Sequence, residues 1–464
     1  MGRAEEADIP AGFDPVAYIN EPRHRESRLG LERTLLLLEK IGRPQDRLRF
    51  VHVAGTNGKG STCAFLAQIL QEAGYRTGLF TSPYIVEFAD RIRVNGENIP
   101  PADLLSATLT VKAAADAMED HPTEFELMTA IGFLHFAQQG CDIVVCEVGL
   151  GGRLDSTNVI EGPELCIITP IGLDHMAILG DTVPAIAGEK AGIIKKGAPV
   201  LSWPQRPEAM DVIQETAAKM GAPLTLPDFS QLKVLPPMME GSEAGRAKGD
   251  GFSGGPKGDG SSCPARWFDY KGYHGLRISL LGSYQPFNAA MAIEAALLLR
   301  QKAWHISDDA LRAGLANTVW PGRFEVFAQD PTFIIDGAHN VDGVQALVDS
   351  LVEAFPQAAP VFVVGILADK DYKGMLRLAL PHAAQFVTIT PPIARGIPAP
   401  RLAEAIRGLE AAAGIDPLQV PVYSAVDIPD ALRHAREAAD ETGLVCAFGS
   451  LYSIADIKRY WREV

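Results

Sequence analysis

Residues 52–62 read "HVAGTNGKGST". Glycines flank a lysine and hydroxyl side chains follow it, which is the composition of a loop that cradles phosphates. The spacing departs from the common G-x-x-x-x-G-K-[ST]. Val53 stands where the first glycine would be, Gly55 comes two residues later, and Gly60 separates Lys59 from Ser61. The stretch joins an apolar run, "LRFVHVAG", to a helical pattern, "STCAFLAQILQEAG". At a strand-to-helix junction the backbone N–H groups and the helix dipole face a bound anion, and Lys59 would reach the β- and γ-phosphates. The plainer alternative is a glycine-rich turn with a solvated lysine, but strand, loop and helix in this order favour a nucleotide.

Other chemistry-bearing residues sit at the ends of apolar runs. Glu147 ends "DIVVC", where a buried carboxylate is costly without a partner; the alternative is a strand-end surface residue. His175 follows another run and reads equally well as a hydrogen-bonded histidine. Lys190 lies in "AIAGEKAGIIKK", where Lys195 and Lys196 read as surface lysines. Asp336 and His339 follow "TFII", beyond the carboxyl end of a strand, where α/β domains place ligand groups. Asp336 would otherwise cap a helix. Arg153 could pair with a substrate carboxylate or form a structural ion pair.

These residues need elements to hold them. "TGLFTSP", "CDIVVCEVG", "LCIITPIGLDH" and "APVLSW" are nearly continuous apolar runs, suited to a parallel sheet buried on both faces. The helix after the phosphate loop has Phe65, Leu66, Ile69 and Leu70 at helical spacing, and Gly74 suits its C-cap. A second β/α series starts at "TFIIDGAHN" and continues through "VFVVGILADK", "QFVTIT" and "GLVCAFGS". The reading is two α/β domains: residues 1–316, a linker over 317–322 in "NTVWPGRFE", and residues 323–464. Residues 241–260 contain eight glycines, and a flexible surface insertion over 241–262 is expected there.

Composition narrows the classes. The 464 residues suffice for two or three domains, and the net charge of −15 argues against a broad nucleic-acid surface. An anionic ligand must therefore be held by local donors. The six cysteines form no C-x-x-C pair, and Cys146 and Cys166 lie in strand-like runs, so buried thiols in a reducing, cytoplasmic compartment are expected. "MGRAEEADIP" has no apolar core of a signal peptide, and Glu6 stands where a myristoylation signal wants Ser or Thr. No uncharged run reaches membrane-spanning length.

The variant loop and the motifs after it resemble the Mur ligase superfamily and, within it, the folylpolyglutamate and dihydrofolate synthases. After "GTNGKGST" come "TSPY" (81–84, with Tyr84 in place of the usual histidine), "EVGLGGRLDSTN" (147–158), "GLDHMAILG" (172–180), "GEKAGIIK" (188–195), "PGRFE" (321–325) and "DGAHN" (336–340). They follow in family order from about residue 26 onward. The resemblance implies a phosphate-loop ATPase-type domain with a mostly parallel sheet, followed by a Rossmann-like α/β domain. It implies ATP contacts at Gly55, Thr56, Asn57, Gly58, Lys59, Gly60 and Ser61, and at Asn288, Arg323, Asp336 and His339. Two magnesium ions are implied, with Ser82, Glu147, His175 and a carbamylated Lys190 as ligands; Lys59, Lys190 and His175 are the implied catalytic residues. The acceptor is implied to meet Ser27, Arg28 and Leu29, Thr123, Glu124, Phe125 and Glu126, and Arg153, Leu154 and Asp155. In some relatives an acidic or small polar residue stands where Arg28 is.

The implied reaction joins L-glutamate to dihydropteroate and to reduced folates at the expense of ATP, through an acyl phosphate. Such a ligase needs no protein nucleophile, so the lack of a Ser-His-Asp set is no objection. The expected partners are these small molecules, with no nucleic acid and no membrane, and the expected state is a monomer. A folylpolyglutamate-only enzyme is the nearest alternative. A cell-wall Mur ligase would want an extra N-terminal domain, and here the loop begins only about 50 residues in. A nucleotide sensor would not need Glu147, His175 and Lys190 together.

Overall fold

The apolar runs form strands that are buried from end to end, because helices cover both faces of the sheet they build. The computed structural model describes residues 12–21, 24, 28–235, 265–413 and 420–463; Ser27, Cys263 and the glycine-rich 241–262 lie outside them. In chain order the first sheet consists of β1 (Phe50–Ala54), β2 (Thr77–Phe80), β3 (Ile92–Val94), β4 (Glu97–Asn98), β5 (Ile143–Glu147), β6 (Leu165–Ile168), β7 (Val200–Ser202) and β8 (Leu224–Thr225). Their spatial order is β4-β3-β2-β5-β1-β6-β7-β8. The strands from β2 to β8 in that order run parallel, and β3 and β4 add an antiparallel edge.

β1 is central, with β5 on one side and β6 on the other. The chain winds first to one side of β1 and later to the other, which opens a crevice at the carboxyl ends of these three strands. The phosphate-loop helix, Lys59–Glu72, leaves from there and buries Phe65, Leu66, Ile69 and Leu70. Gly74, at φ 89°, follows its last turn, and the Tyr75 N–H closes back on the Leu70 carbonyl at 3.1 Å.

A small antiparallel sheet, β9 (Lys233–Leu235), β10 (Arg266–Tyr270) and β11 (Tyr273–Ile278), was not expected from the sequence. Its signal was present, however. β10 alternates buried and half-buried residues, and Lys271-Gly272, at φ 46° and 78°, make a two-residue hairpin turn of the primed kind.

The third sheet contains β12 (Glu325–Ala328), β13 (Thr332–Ile335), β14 (Val361–Val364), β15 (Gln385–Thr388), β16 (Val422–Ser424) and β17 (Leu444–Phe448) in the order β12-β13-β17-β14-β15-β16. Only β12 is antiparallel to its neighbour. The helix Asp308–Asn317 and residues 318–324 lead into it from the first sheet. Cys63, Cys141, Cys146, Cys166 and Cys446 are free and buried. Among the described residues no helix is long and apolar enough to cross a membrane.

Candidate active site

The phosphate loop lies beyond the carboxyl end of β1 and is tied to the loop after β6. Thr56 and Asn57 N–H groups donate to the Pro170 carbonyl at 2.8 and 3.3 Å, and the Thr56 hydroxyl donates to Gly172 O at 3.1 Å. Two glycines are required by conformation and by space. Gly55 has φ 151° and a Cβ there would overlap the Thr169 hydroxyl; Gly58 has φ 80° and a Cβ would lie 2.6 Å from Asn288 Oδ1. Asn288 is itself held by Gln285 at 3.1 Å, and Gln285 reaches the Ser61 hydroxyl at 3.2 Å. The helix Gln285–Gln301 therefore sets the far wall of the loop.

Two lysines converge on one carbonyl. Gly55 O accepts from Lys59 Nζ at 3.1 Å and from Lys190 Nζ at 2.8 Å. Lys190 is 4% exposed, on the helix Val183–Ala191. Burial first, and then the neighbouring Lys59 charge, bring its amine down to about 7. Lys195, by contrast with the surface position expected for it, is half-buried and donates to Asn158 O at 3.1 Å, because the helix ends at Ala191 and the chain turns inward.

Glu147 ends β5 and is buried. Its nearest donors are distant, the Ser82 N–H at 3.3 Å and Lys59 Nζ at 3.9 Å. Burial raises its pKa, against the pull of Lys59. His175 caps the short helix Met176–Leu179 at φ 51°, and burial brings its imidazole down to about 4. Ser82, Glu147, His175 and Lys190 line the same cleft, but among the described residues no three His, Cys, Asp or Glu side chains are grouped to hold a metal by themselves, so a hard divalent cation there would need further oxygen donors.

The third sheet supplies the opposite wall. Asp336, beyond β13, accepts from Phe324 N–H and Ala338 N–H at 2.7 Å each and from the Tyr284 hydroxyl at 3.0 Å. It does not cap a helix, as the alternative reading had it; Asn340 caps Val341–Ala354 instead. Arg323 donates to Gly322 O at 3.3 Å and acts on Asp336 electrostatically. His339 Nδ1–H donates to Gly337 O at 2.7 Å, and burial brings its imidazole down to about 4.

Contacts between the two walls involve residues that the sequence reading did not assign. Lys370, in the loop after β14, pairs with Asp174, and the side chains are only 5% and 9% exposed. Asn340 Nδ2 donates to Asn57 Oδ1 at 3.1 Å and to Asp174 at 3.3 Å. Asp174 and Asn340 lie within the motifs quoted above, and Lys370 stands at a strand's carboxyl end, which was the available signal. Burial opposes ionisation of Asp174, but Lys370, His175 and His339 outweigh it and hold its carboxyl below the usual range. Its contribution to stability is thus present above the ordinary carboxylate pKa, near 4, and fades as pH falls below it. Lys370→Met is expected to destabilise the fold by about 3 kcal/mol, since it strands a buried carboxylate. Urea unfolding checks this: Asp174→Asn/Lys370→Met should recover much of the loss, and equal stability of Lys370→Met and the parent would refute it.

The cleft between the walls has a volume of about 610 Å³. It is lined by the phosphate-loop residues 55–61, by Ser82, Glu147, His175 and Lys190, and by Asn288, Arg323, Asp336 and His339. At its other end it is lined by Arg28, Leu29, Thr123, Glu124, Phe125, Leu154 and Asp155. Two expected acceptor contacts are not brought to it. Glu126 closes a capping box with Thr123 and pairs with Arg33 at 3.1 Å, as T-x-x-E before an apolar run should have signalled. Arg153 forms the structural ion pair, with Glu189 at 2.7 Å. Arg28 lines the rim but is engaged by Asp120 at 2.7 Å. Arg91, which the sequence reading missed, is buried in this end, 5.2 Å from the Tyr84 ring centroid and 3.4 Å from Glu124. The tyrosine that replaces the usual histidine thus stacks on a cation.

Residues 53–219 match the Mur ligase middle domain, and residues 322–451 match the Mur ligase, glutamate ligase domain. The chain is 39% identical over 439 residues to the dihydrofolate synthase/folylpolyglutamate synthase of Bacillus subtilis, covering 93% of this chain and 94% of that one. It is 37% identical to the folylpolyglutamate synthase of Lacticaseibacillus casei, covering 83% and 87%. Among solved structures, the Mycobacterium tuberculosis folylpolyglutamate synthase complexed with ADP and AMPPCP superposes with a TM-score of 0.81 at 28% identity, over 97% of this chain and 99% of that one. E. coli FolC in complex with DHPP and ADP gives 0.79 at 27%, over 98% and 99%.

Proposed function

The chain belongs to the Mur ligase family, on its dihydrofolate synthase/folylpolyglutamate synthase branch, and from that premise we propose that it joins L-glutamate to dihydropteroate and to reduced folates using ATP. The observation that carries the reading is the convergence of Lys59 and Lys190 on Gly55 O, in a cleft that Arg323, Asp336 and His339 close from the other sheet.

The acceptor carboxylate attacks the γ-phosphorus, ADP leaves, and an acyl phosphate forms. The glutamate α-amine then attacks the acyl carbon; the amide forms, phosphate departs and one proton is released. Loop N–H groups and Lys59 hold the transferring phosphoryl group, and burial keeps their field strong. Ser82, Glu147, His175 and carbamylated Lys190 would hold magnesium, which neutralises charge on the phosphates when bound. Asn288, Arg323, Asp336 and His339 orient the nucleotide, and Arg28, Leu29, Thr123, Glu124, Phe125, Leu154 and Asp155 face the acceptor. Residues 1–316 and 323–464 act as the two domains on either side of a linker over 317–322. One chain supplies both walls, so a monomer suffices. The five free thiols among the described residues are all buried, which suits the cytoplasm.

Both reactions activate a carboxylate and form an amide to the same amine, so one phosphate site serves both. They differ in where the pterin end sits, since the second acceptor is one glutamate longer. Purified protein given ATP, magnesium, glutamate and dihydropteroate is expected to yield dihydrofolate, and with tetrahydrofolate a longer glutamyl chain. Extension of tetrahydrofolate without any dihydrofolate would leave a folylpolyglutamate synthase alone. Turnover only with a muramyl nucleotide would remove the folate reading.

A further inference from the structure

Gly60 is the residue that breaks the usual loop spacing, and backbone conformation does not require it, since it is the second residue of an ordinary helix. Space does. A Cβ on Gly60 would stand 3.1 Å from Trp320 Nε1, 3.2 Å from Cζ2 and 3.4 Å from Cε2. The Trp320 indole therefore lies flush on the first turn of the phosphate-loop helix. It is 5% exposed, and the Arg93 guanidinium sits 5.2 Å from its ring centroid. Its Nε1–H meets no acceptor among the described residues, so the indole is held by shape and not by a hydrogen bond.

Trp320 belongs to the connector between the two sheets, and the connector is fixed on both sides of it. Before it, Gly314 packs so closely on the phosphate-loop helix that a Cβ would lie 2.6 Å from Ile69 N, and the Thr318 hydroxyl donates to Gly314 O at 2.6 Å. After it, Gly322 O accepts from the Gly337 N–H at 2.8 Å, next to Asp336. Direct contacts thus run from Gly60 through Trp320 to Gly322, and on to the loop that carries Asp336 and His339.

We propose that Trp320 is a positioning residue for phosphoryl transfer: seated on Gly60, it sets the Arg323–Asp336 wall at its working distance from the phosphate loop. The proposal rests on the nucleotide site inferred above. Dense interiors transmit such shifts, and since a misplacement near 1 Å costs about 10²-fold, a few tenths of an ångström costs on the order of severalfold.

Steady-state ligation, with ATP and acceptor each varied in turn, tests it on the full chain. No ATP turnover by the parent protein would remove the function proposed above, and this inference with it. With an active parent, Gly60→Ala is expected to lower kcat/KM for ATP by about threefold or more while the KM for acceptor stays nearly unchanged, and Gly60→Ala/Trp320→Leu is expected to recover most of that loss. A fully active Gly60→Ala, or a double variant whose loss equals the product of the two single losses, overturns the proposal. If Gly60→Ala does not fold, Trp320→Leu alone decides: a rise of about fivefold in KM for ATP with unchanged KM for acceptor supports it, and unchanged constants for ATP overturn it.

Discussion

Lys59→Ala is expected to lower ligation by roughly 10²–10³-fold or more, the scale on which removing one preorganised charge-stabilising donor acts. Lys59 is folded onto Gly55 O and Thr56 O at 3.1 and 3.3 Å, within the loop that faces the phosphates. Its ammonium is also the nearest cation to Glu147, so its loss leaves both a phosphoryl group and a buried carboxylate less well balanced. Phosphate release with and without glutamate measures the effect. Near-parental ATP turnover in this variant would sink the assignment of the loop.

Lys190→Ala is expected to lose activity to a similar degree and to regain part of it with acetate or formate, which can take the place of a carbamate. Carbamylation joins the neutral amine nitrogen to the carbon of carbon dioxide and releases one proton. An ordinary lysine, with its pKa of 10.5, offers roughly a thousandth of its nitrogen in neutral form near pH 7.5. Burial and Lys59 bring Lys190 to about 7, so a large share is neutral there. The sign follows: carbamate formation weakens as pH falls through about 7. Over pH 7 to 10.5 the unfolded chain holds a proton on this group that the folded chain has lost, so stability rises with pH across that window. Labelled bicarbonate should give a carbamate carbon resonance in the parent that is absent in Lys190→Ala. A bare ammonium in crystals grown with magnesium and bicarbonate would refute the modification.

The strands and the phosphate loop could be read from the sequence because they are local. A run such as "DIVVCEVG" has one good home, a strand buried on both faces, and a glycine-rich turn between strand and helix has few uses. The hairpin β10–β11 was legible in principle through Lys271-Gly272, but one half-exposed hairpin gives a weak pattern beside longer buried runs. Glu126 and Arg153 show the limit of motif matching. Both sit in stretches that resemble acceptor-binding segments, yet Glu126 is taken up by Thr123 and Arg33, and Arg153 by Glu189, and neither Glu126 nor Arg153 lines the cleft.

By itself, then, the sequence determined two α/β series, a phosphate loop with its helix, and the family to which the ordered motifs belong. Periodicity and short-range spacing are properties of neighbouring residues, and they survive without a fold. Which groups meet across the cleft was decided only by tertiary structure. Asp174 finds Lys370 almost two hundred residues later, Asn57 finds Asn340, and Gly60 finds Trp320. Lys190 owes its low pKa to burial beside a lysine from a different helix. Such pairs are fixed by how two sheets dock, and docking depends on the summed shape of many side chains, which no local pattern records.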